Sequence, residues 1–436
     1  MEKPILHIVH CIDTEGPLDE DIYATFERLN YIFGIKLKPN KENLLAIQTK
    51  KLALGGLEEI VAKTFSPELL NYNRNWADIS IMLDKALSQS FRNEVLDDYG
   101  KGWVYSWHCM DHVNCFDNPR HKDFGYGNIF RFYQNKLAET ESTQDEINWH
   151  YHPLSLSKNP THTASSYLNN YADILQILTR RIIDDKWFPT VNRPAFHTER
   201  PDSHSFLESW IPFDYANQVI DGVQDQHELT HGRFADWARA SKSWRGYHPS
   251  HDDYQVSGNC KRLIYRILNV GTRHRALTSK HFHEAFEEAR KYGQSIIAFA
   301  DHDYRDITLD VTEVRNMLHS VRDSYKDVDI KFSGAEEAAR DLMNYQNEET
   351  PELKISLIGN RLDIKLSRGK LFGPQPFLAM KSRTGNYFHD NVDVVIKEKQ
   401  WSYIFDEQTL DIENVAKIGV GSAGRYGKST VSVIEL

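Results

Sequence analysis

Two pairs of side chains in this sequence are spaced to act together on a substrate or a metal ion. Asp13 and Glu15 follow an apolar run that starts at Ile5, and His150 and His152 follow a second such run. Residues two apart in an extended strand point to the same face, so each pair can project from one strand end. Two imidazoles and a carboxylate can hold a divalent metal, which leaves the other carboxylate to act as a base. The two pairs together favour a metal-dependent hydrolase.

His302 is the third chemically suggestive position. It follows the apolar run Ser295–Ala300 and lies between Asp301 and Asp303. A neighbouring carboxylate can fix one tautomer of a histidine and raise its pKa toward working pH, which suits a general acid. We expect Asp303, or alternatively Asp306, to orient the His302 ring.

A second histidine pair, His108 and His112, offers an alternative metal site. Their four-residue spacing would place both rings on one face of a helix. The pair directly follows a β-like run, however, so we rank it below His150 and His152.

The elements around these residues indicate an α/β protein. Apolar β-leaning runs precede the chemical residues at Ile5–Ile12, Gly102–Trp107, Ile147–Trp149 and Ser295–Ala300. Amphipathic helical patterns lie after several of these runs, beginning at Tyr171, Phe282 and Val311. Strands that alternate with helices predict a parallel sheet or barrel, in which polar residues at the carboxyl ends of strands meet at the active site.

The chain divides near residue 347 into a large first domain, residues 1–346, and a smaller one, residues 347–436. Residues 18–75 interrupt the alternating pattern, and we expect them to form an insertion that covers the site. The segment 347–351 is typical of a linker, and Gly359-Asn360-Arg361 between two apolar runs is typical of a hairpin. The last 90 or so residues therefore predict a small antiparallel β domain of the sandwich type.

Composition narrows the functional classes. The 436 residues carry a formal net charge of −10 and show no basic stripe, which argues against a nucleic-acid partner. Four cysteines are too few for a disulfide scaffold. No run approaches the roughly 20 apolar residues that cross a bilayer, and Met1–Pro4 lead directly into a candidate strand. We therefore expect a cytoplasmic protein without a transmembrane segment.

Four motifs follow one another in a familiar order: Ile12–Gly16, Glu146–Pro153, Arg193 and Phe299–Asp303. Their order and spacing resemble the polysaccharide deacetylase superfamily, which is carbohydrate esterase family 4 with its NodB homology domain. More narrowly, they resemble deacetylase-like proteins encoded in O-antigen and lipopolysaccharide biosynthesis clusters. The resemblance covers roughly residues 5–340.

The resemblance implies a distorted (β/α)7-type barrel and a divalent metal, often zinc, that supports removal of N-acetyl groups from amino sugars. It implies Asp13 as general base, His302 as general acid and Arg193 beside the base, with Arg200 as an alternative arginine. It also implies metal ligands, which are Glu15, His150 and His152. The family more commonly has adjacent aspartates in its first motif, so the roles of Asp13 and Glu15 can be exchanged.

Substrate and partners are less constrained. We assign Trp149, His197 and Tyr247 to substrate binding, and we expect an acylated amino sugar that is nucleotide-linked, lipid-linked or part of an oligosaccharide. A homo-oligomer or a glycosyltransferase partner is compatible with the additional β domain. Two alternatives stay open, namely a non-catalytic glycan-binding or assembly protein on the same fold and a sugar deformylase or ureide hydrolase.

Overall fold

The structure is a computed structural model that describes residues 3–160, 166–221, 235–272 and 275–436. Its centre is a parallel sheet whose strands come from the first three quarters of the chain. These strands are β1 (Ile5–Thr14), β2 (Ser106–Cys109), β3 (Glu146–Tyr151), β4 (Val191–Pro194), β5 (Phe213–Asn217), β6 (Leu263–Arg266), β7 (Leu268–Asn269), β8 (Gln294–His302) and β9 (Asp329–Phe332).

Strand β1 lies at the middle of this sheet because it pairs with three others. It pairs with β8 along one edge, while the other edge pairs with β9 near its start and with β2 near its end. All residues of β1 after Ile5 are buried, as expected for a parallel strand that is covered on both faces. Its carboxyl end therefore delivers Asp13 into the interior of the protein.

The sheet curves into a nearly closed barrel. The strand order is β6-β5-β4-β3-β2-β1-β8-β7, and all of these pairings are parallel. The two ends of this order, β6 and β7, are separated in the chain by Ile267 alone. One extended segment thus pairs with β5 through its first half and with β8 through its second half. This arrangement confirms the predicted α/β fold with a parallel barrel.

Helices surround the barrel and extend over one end of it. They are α1 (Ile22–Phe33), α2 (Lys41–Gln48), α3 (Glu58–Thr64), α4 (Trp76–Ala86), α5 (Gln89–Arg92), α6 (Asn128–Glu139), α7 (Tyr171–Asp185), α8 (Pro201–Trp210), α9 (Ser279–Tyr292), α10 (Ile307–Arg322) and α11 (Ala335–Leu342). Within the described ranges, no helix combines the length and the apolar character needed to cross a membrane. Helices α1 to α3 belong to the segment 18–75 and share a small apolar cluster of their own, which includes Phe26, Ile47 and Val61.

Two antiparallel sheets follow the barrel. Their strands are β10 (Glu352–Ile358), β11 (Arg361–Arg368), β12 (Phe377–Ser382), β13 (Tyr387–Asp390), β14 (Asp393–Ile396), β15 (Gln400–Ile404), β16 (Val415–Ala423) and β17 (Ser429–Glu435). The orders are β10-β11-β15-β14 and β13-β12-β16-β17. The predicted hairpin is present, since Ile358 and Arg361 pair across its turn. One apolar cluster lies between the two sheets and contains Leu362, Trp401 and Val420.

The second of these sheets packs on helix α7 of the barrel. Gly419 and Gly421 on β16 approach Ile182 so closely that a Cβ atom at either glycine would lie 2.6 to 2.9 Å from that side chain. The Tyr387 hydroxyl donates a hydrogen bond to Asp184 at the rim of this contact. Ile182 is fully buried here, so the barrel and the β domain share one apolar core.

We expect the Ile182→Ala variant to lose about 2–5 kcal/mol of stability, because it removes buried methyl groups and leaves a cavity against β16. Ile81→Ala on α4 is a matched control, since the Ile81 side chain is 69 % exposed. Thermal and chemical unfolding of the two variants would measure the difference. Equal unfolding midpoints would show that the β domain does not depend on α7.

Candidate functional site

Parallel register brings the chemical residues of distant segments side by side. Asp13 at the end of β1 is the register partner of His302 on β8 and of His108 on β2. His150 on β3 is likewise the partner of Arg193 on β4. Because parallel strands end at the same edge of a barrel, these side chains lie around one opening.

The rings of His150 and His152 point at a common position. Their Nε2 atoms are 2.9 Å apart, and the Nδ1 atom of His150 donates a hydrogen bond of 2.5 Å to the backbone carbonyl of Arg193. A carbonyl only accepts, so a neutral His150 carries its proton on Nδ1 and presents the Nε2 lone pair toward His152. This is the orientation that a carbonyl partner gives to metal-ligating histidines.

The Glu15 carboxylate completes a group of three possible ligands. Its Oε1 atom lies 3.5 Å from Nε2 of His152, and one ligand atom from each of Glu15, His150 and His152 falls within 4.8 Å of the others. The second oxygen, Oε2, is 3.1 Å from the ammonium group of Lys122. One oxygen of the Glu15 carboxylate thus faces the ammonium group of Lys122, and the other faces the ring of His152.

The charge state of Glu15 follows from these neighbours. Burial alone would raise the pKa of its carboxyl group, but Lys122 and His152 outweigh this effect and hold the pKa well below its usual value. Lys122, which is 8 % exposed, was not a sequence-predicted site residue. Nothing in its local sequence distinguishes it, because its partner stands 107 positions earlier in the chain.

Asp13 has a different environment. Its Oδ1 atom lies 3.4 Å from Nε of Arg193, and its Oδ2 atom lies 3.9 Å from Nε2 of His302. Burial raises the pKa of the Asp13 carboxyl group, and the positive charge of Arg193 opposes that rise. Of the two carboxylates predicted to be exchangeable, Glu15 therefore lies nearer to Nε2 of His152. Asp13 contacts Arg193 and lies 3.7 Å from Nδ1 of His150.

His302 reaches the same centre, but its flanking carboxylates do not touch its ring. Nε2 of His302 is 3.9 Å from Asp13 and 3.8 Å from Glu15. Asp301 instead accepts a 2.9 Å hydrogen bond from the buried ring of His10. Burial lowers the pKa of His302 to about 4, which corrects the expectation that neighbouring aspartates would raise it. The ring is therefore neutral near pH 7.

Asp303 also has a role other than the predicted one. Its oxygens accept hydrogen bonds from the backbone N–H groups of Glu15 and Gly16 at 2.9 and 3.0 Å, and from the Tyr133 hydroxyl at 2.9 Å. Asp306 caps α10 by accepting from the N–H of Thr308. Neither carboxylate orients His302, and Asp303 fixes the backbone that carries Glu15.

We expect the Asp303→Ala variant to be destabilised by about 3 kcal/mol or more, because buried donors left without an acceptor cost about 1–3 kcal/mol each. The control is Asp323→Ala, since the Asp323 side chain is 93 % exposed and surface changes stay within about 0.5 kcal/mol. Urea unfolding compares the two. Wild-type stability in Asp303→Ala would mean that other contacts hold residues 15 and 16.

The alternative histidine pair does not form a helical metal site. His108 lies within strand β2, and its Nδ1 atom lies 3.4 Å from the backbone carbonyl of Trp149. The Nε2 atom of His112 donates a 2.8 Å hydrogen bond to the carbonyl of Glu15, so this nitrogen is not available as a ligand. His112 supports the Glu15 backbone from the side opposite Asp303.

Two residues assigned to substrate binding lie elsewhere. Trp149 is 1 % exposed and packs on Tyr151 and Phe206, because its place next to His150 in a strand turns it to the opposite face. Tyr247 donates its hydroxyl hydrogen to the carbonyl of Tyr254. The described residues that line the cavity at the site include neither Trp149 nor Tyr247.

His197 does line the cavity, next to Arg193. Its Nδ1 atom lies 2.6 Å from Nη1 of Arg193. His197 and Phe196 both have positive φ angles, 53° and 50°, a conformation that is uncommon for residues other than glycine and is often found at functional sites. This turn brings the Phe196 ring 5.2 Å from the ring of His152. The alternative arginine, Arg200, instead lies at the start of α8.

One cavity of about 520 Å³ is lined by Asp13, Glu15, His150, His152, Arg193, His197 and His302. These residues form one wall, and the other wall includes residues of α1, of the segment between α3 and α4, and of the segment between β2 and α6. The residues on this second wall that the sequence patterns did not indicate include Arg28, Tyr31, Tyr72, Arg120 and Lys122. Cavities of this size commonly hold small-molecule ligands.

Comparison with known proteins assigns this chain to no family. No protein-family model matches the sequence, and no curated protein was found to be similar to it.

Proposed function

We propose that this protein is a metal-dependent amide hydrolase that removes an N-acyl group, most simply acetyl, from an amino sugar during surface-polysaccharide or O-antigen synthesis. One observation carries the proposal. Three ligand-type side chains, Glu15, His150 and His152, meet in the same cavity as a buried carboxylate, Asp13, and a neutral imidazole, His302. The motif order of the polysaccharide deacetylase superfamily supports it, and so does the barrel, to which we assign the NodB-like (β/α)7 form.

The donor set fits a divalent metal, for which we propose zinc. Two imidazoles and one carboxylate are a common ligand set for zinc when the fourth position stays open for water or substrate. The His150 and His152 nitrogens face each other at 2.9 Å, an arrangement that a cation between their lone pairs would stabilise. A bound divalent ion would polarise the amide carbonyl and lower the pKa of a water molecule.

The remaining residues account for the proton transfers of amide hydrolysis. In this proposal Asp13 accepts a proton from the attacking water, and Arg193, 3.4 Å from its carboxylate, orients it. His302 starts neutral and stands 3.9 Å from Asp13, so it can take up that proton and deliver it to the departing nitrogen. The C–N bond breaks as the amine is protonated, and the products are a free amine and a carboxylic acid.

We expect activity to disappear when the metal is removed. Purified protein would be treated with a chelator and assayed for acetate release from a panel of N-acetylated amino sugars, followed by re-addition of Zn²⁺. Loss and recovery of acetate release is the expected result. Release that continues at the same rate in metal-free protein, or no release from any substrate by the metal-loaded protein, would contradict the proposed function.

A further inference from the structure

Two arginines on the far wall of the cavity form a group that the amide hydrolysis does not use. Arg28 comes from α1 and Arg120 from the segment between β2 and α6, and we refer to them as the arginine pair. Both contact one carboxylate, Glu20: Nη2 of Arg28 lies 2.8 Å from Oε2, and Nε of Arg120 lies 3.2 Å from Oε1. Two positive charges thus share a single negative charge.

Exposure shows which side of this cluster faces the cavity. The Glu20 side chain is 2 % exposed, whereas Arg28 and Arg120 are 20 % and 24 % exposed, and both arginines line the cavity. The carboxylate is therefore more deeply buried than the arginine pair, whose side chains reach the cavity. A guanidinium carries its donors in a fixed fork that matches the oxygens of a phosphate group.

Two tyrosines connect the arginine pair to the reaction centre. The Tyr304 ring lies 4.8 Å from the His302 ring and 5.9 Å from the Tyr72 ring. Arg28 lies close to Tyr72 and Tyr304, and Arg120 lies close to Tyr304. Two aromatic side chains thus lie between His302 and the arginine pair.

The neighbouring charges favour an anion at this end of the cavity. Lys122 also faces Tyr304, with its ammonium group 4.6 Å from the ring centre, although Glu15 already pairs with it. Asp19 beside the pair has its own partners in Arg74 and His121. Glu27 on α1 also lines the cavity, but it is exposed to solvent. Within the described residues, Glu20 is the one carboxylate that forms an ion pair with Arg28 or Arg120, so two positive charges share one ion-pair partner.

We propose that the arginine pair binds a phosphate group attached to the amino sugar, so that the substrate is a sugar phosphate or a sugar linked through phosphate to a nucleotide or lipid. This inference rests on the proposed function for the position of the acyl group at the metal end. It follows that α1, which belongs to the insertion, determines which substrates are accepted as well as covering the site.

Calorimetric binding to the metal-loaded full chain tests the proposal. The probes are N-acetylglucosamine, its 1-phosphate, its uridine diphosphate conjugate and inorganic pyrophosphate. We expect the phosphate-bearing probes to bind at least about tenfold more tightly than the neutral sugar, and the Arg28→Gln and Arg120→Gln variants to lose that preference. Arg361→Gln, a change on an exposed residue of the β domain, should keep that preference.

The probes also distinguish the sources of the phosphate. Tighter binding of the uridine diphosphate conjugate than of the 1-phosphate would identify a nucleotide-linked substrate, whereas equal binding would favour a sugar phosphate or lipid-linked substrate.

Several results would overturn the proposal. Equal binding of neutral and phosphorylated sugar by wild-type protein is one, and it needs no variant to fold. Absence of binding by every phosphate-bearing probe is another, as is an undiminished phosphate preference in the Arg28→Gln, Arg120→Gln double variant. Tighter binding of an N-acetylated uronic acid than of the sugar phosphate would show that the arginine pair recognises a carboxylate and not a phosphate group.

The outcomes separate this inference from the proposed function. Phosphate binding that depends on the arginine pair, without acetate release from any sugar, would contradict the proposed hydrolase activity and support the phosphate subsite. Acetate release that is equally fast from neutral and phosphorylated sugars, and unchanged in Arg28→Gln, would contradict the phosphate subsite and support the hydrolase activity.

Discussion

The Asp13→Asn variant is expected to lose about 10²–10⁴-fold in kcat while it binds metal as wild-type protein does. Asparagine keeps the size of the side chain and its place beside Arg193, but it cannot accept the proton of the attacking water. The three ligand-type residues do not include Asp13. Initial rates of acetate release and the metal content of purified protein measure the two quantities.

The control for this experiment is Asp323→Asn, because the Asp323 side chain is 93 % exposed. Near-normal turnover in Asp13→Asn would reject Asp13 as the base. A large loss of metal in the same variant would show instead that Asp13 is a ligand, and the roles of Asp13 and Glu15 would then have to be exchanged.

Replacing either histidine of the pair is expected to remove the metal itself. His150→Ala and His152→Ala each delete one of three ligand-type groups, so the affinity for Zn²⁺ should fall by more than the roughly 10- to 100-fold that loss of a supporting partner causes. Acetate release should fall with it. Titration with a competing zinc chelator measures the affinity, and the activity assay at saturating Zn²⁺ shows whether occupancy restores the rate.

Two other histidines make this test specific. His121→Ala alters a side chain that is 59 % exposed, and it should bind zinc normally. His112→Ala removes the hydrogen bond to the Glu15 carbonyl and the stacking on Phe124, but none of the three ligand-type groups. Its zinc affinity should therefore lie between those of wild-type protein and the two ligand variants. Full zinc affinity in both His150→Ala and His152→Ala would contradict the proposed metal centre.

Much of the barrel could be predicted because its signals are local. The apolar run before Asp13 and the amphipathic repeat of α7 each specify an element through neighbouring residues. The antiparallel strands begin at Glu352, directly after the segment 347–351. Alternation along a strand likewise predicted that His150 and His152 share one face. The same rule, applied to Trp149, would have excluded it from the cavity.

The rest of the site depends on contacts that no local pattern records. Lys122 and Arg120 reach the cavity from an irregular segment, and Arg28 reaches it from a helix of the insertion, so their spacing along the chain carries no information about their approach to Glu15 or Glu20. The neighbours of His302 show the same limit. Asp301 and Asp303 adjoin it in sequence, but the pleat of β8 and the turn after it direct their carboxylates to His10 and to the backbone of Glu15.

The sequence specifies which ligand-type side chains the strands carry and the faces from which they project, because a strand's two-residue repeat follows from backbone geometry. The approach of each carboxylate to the imidazoles, the charge of His302 and the far wall of the cavity depend on the tertiary structure. Those properties arise from burial and from charges brought together across more than a hundred residues, and folding alone creates that environment.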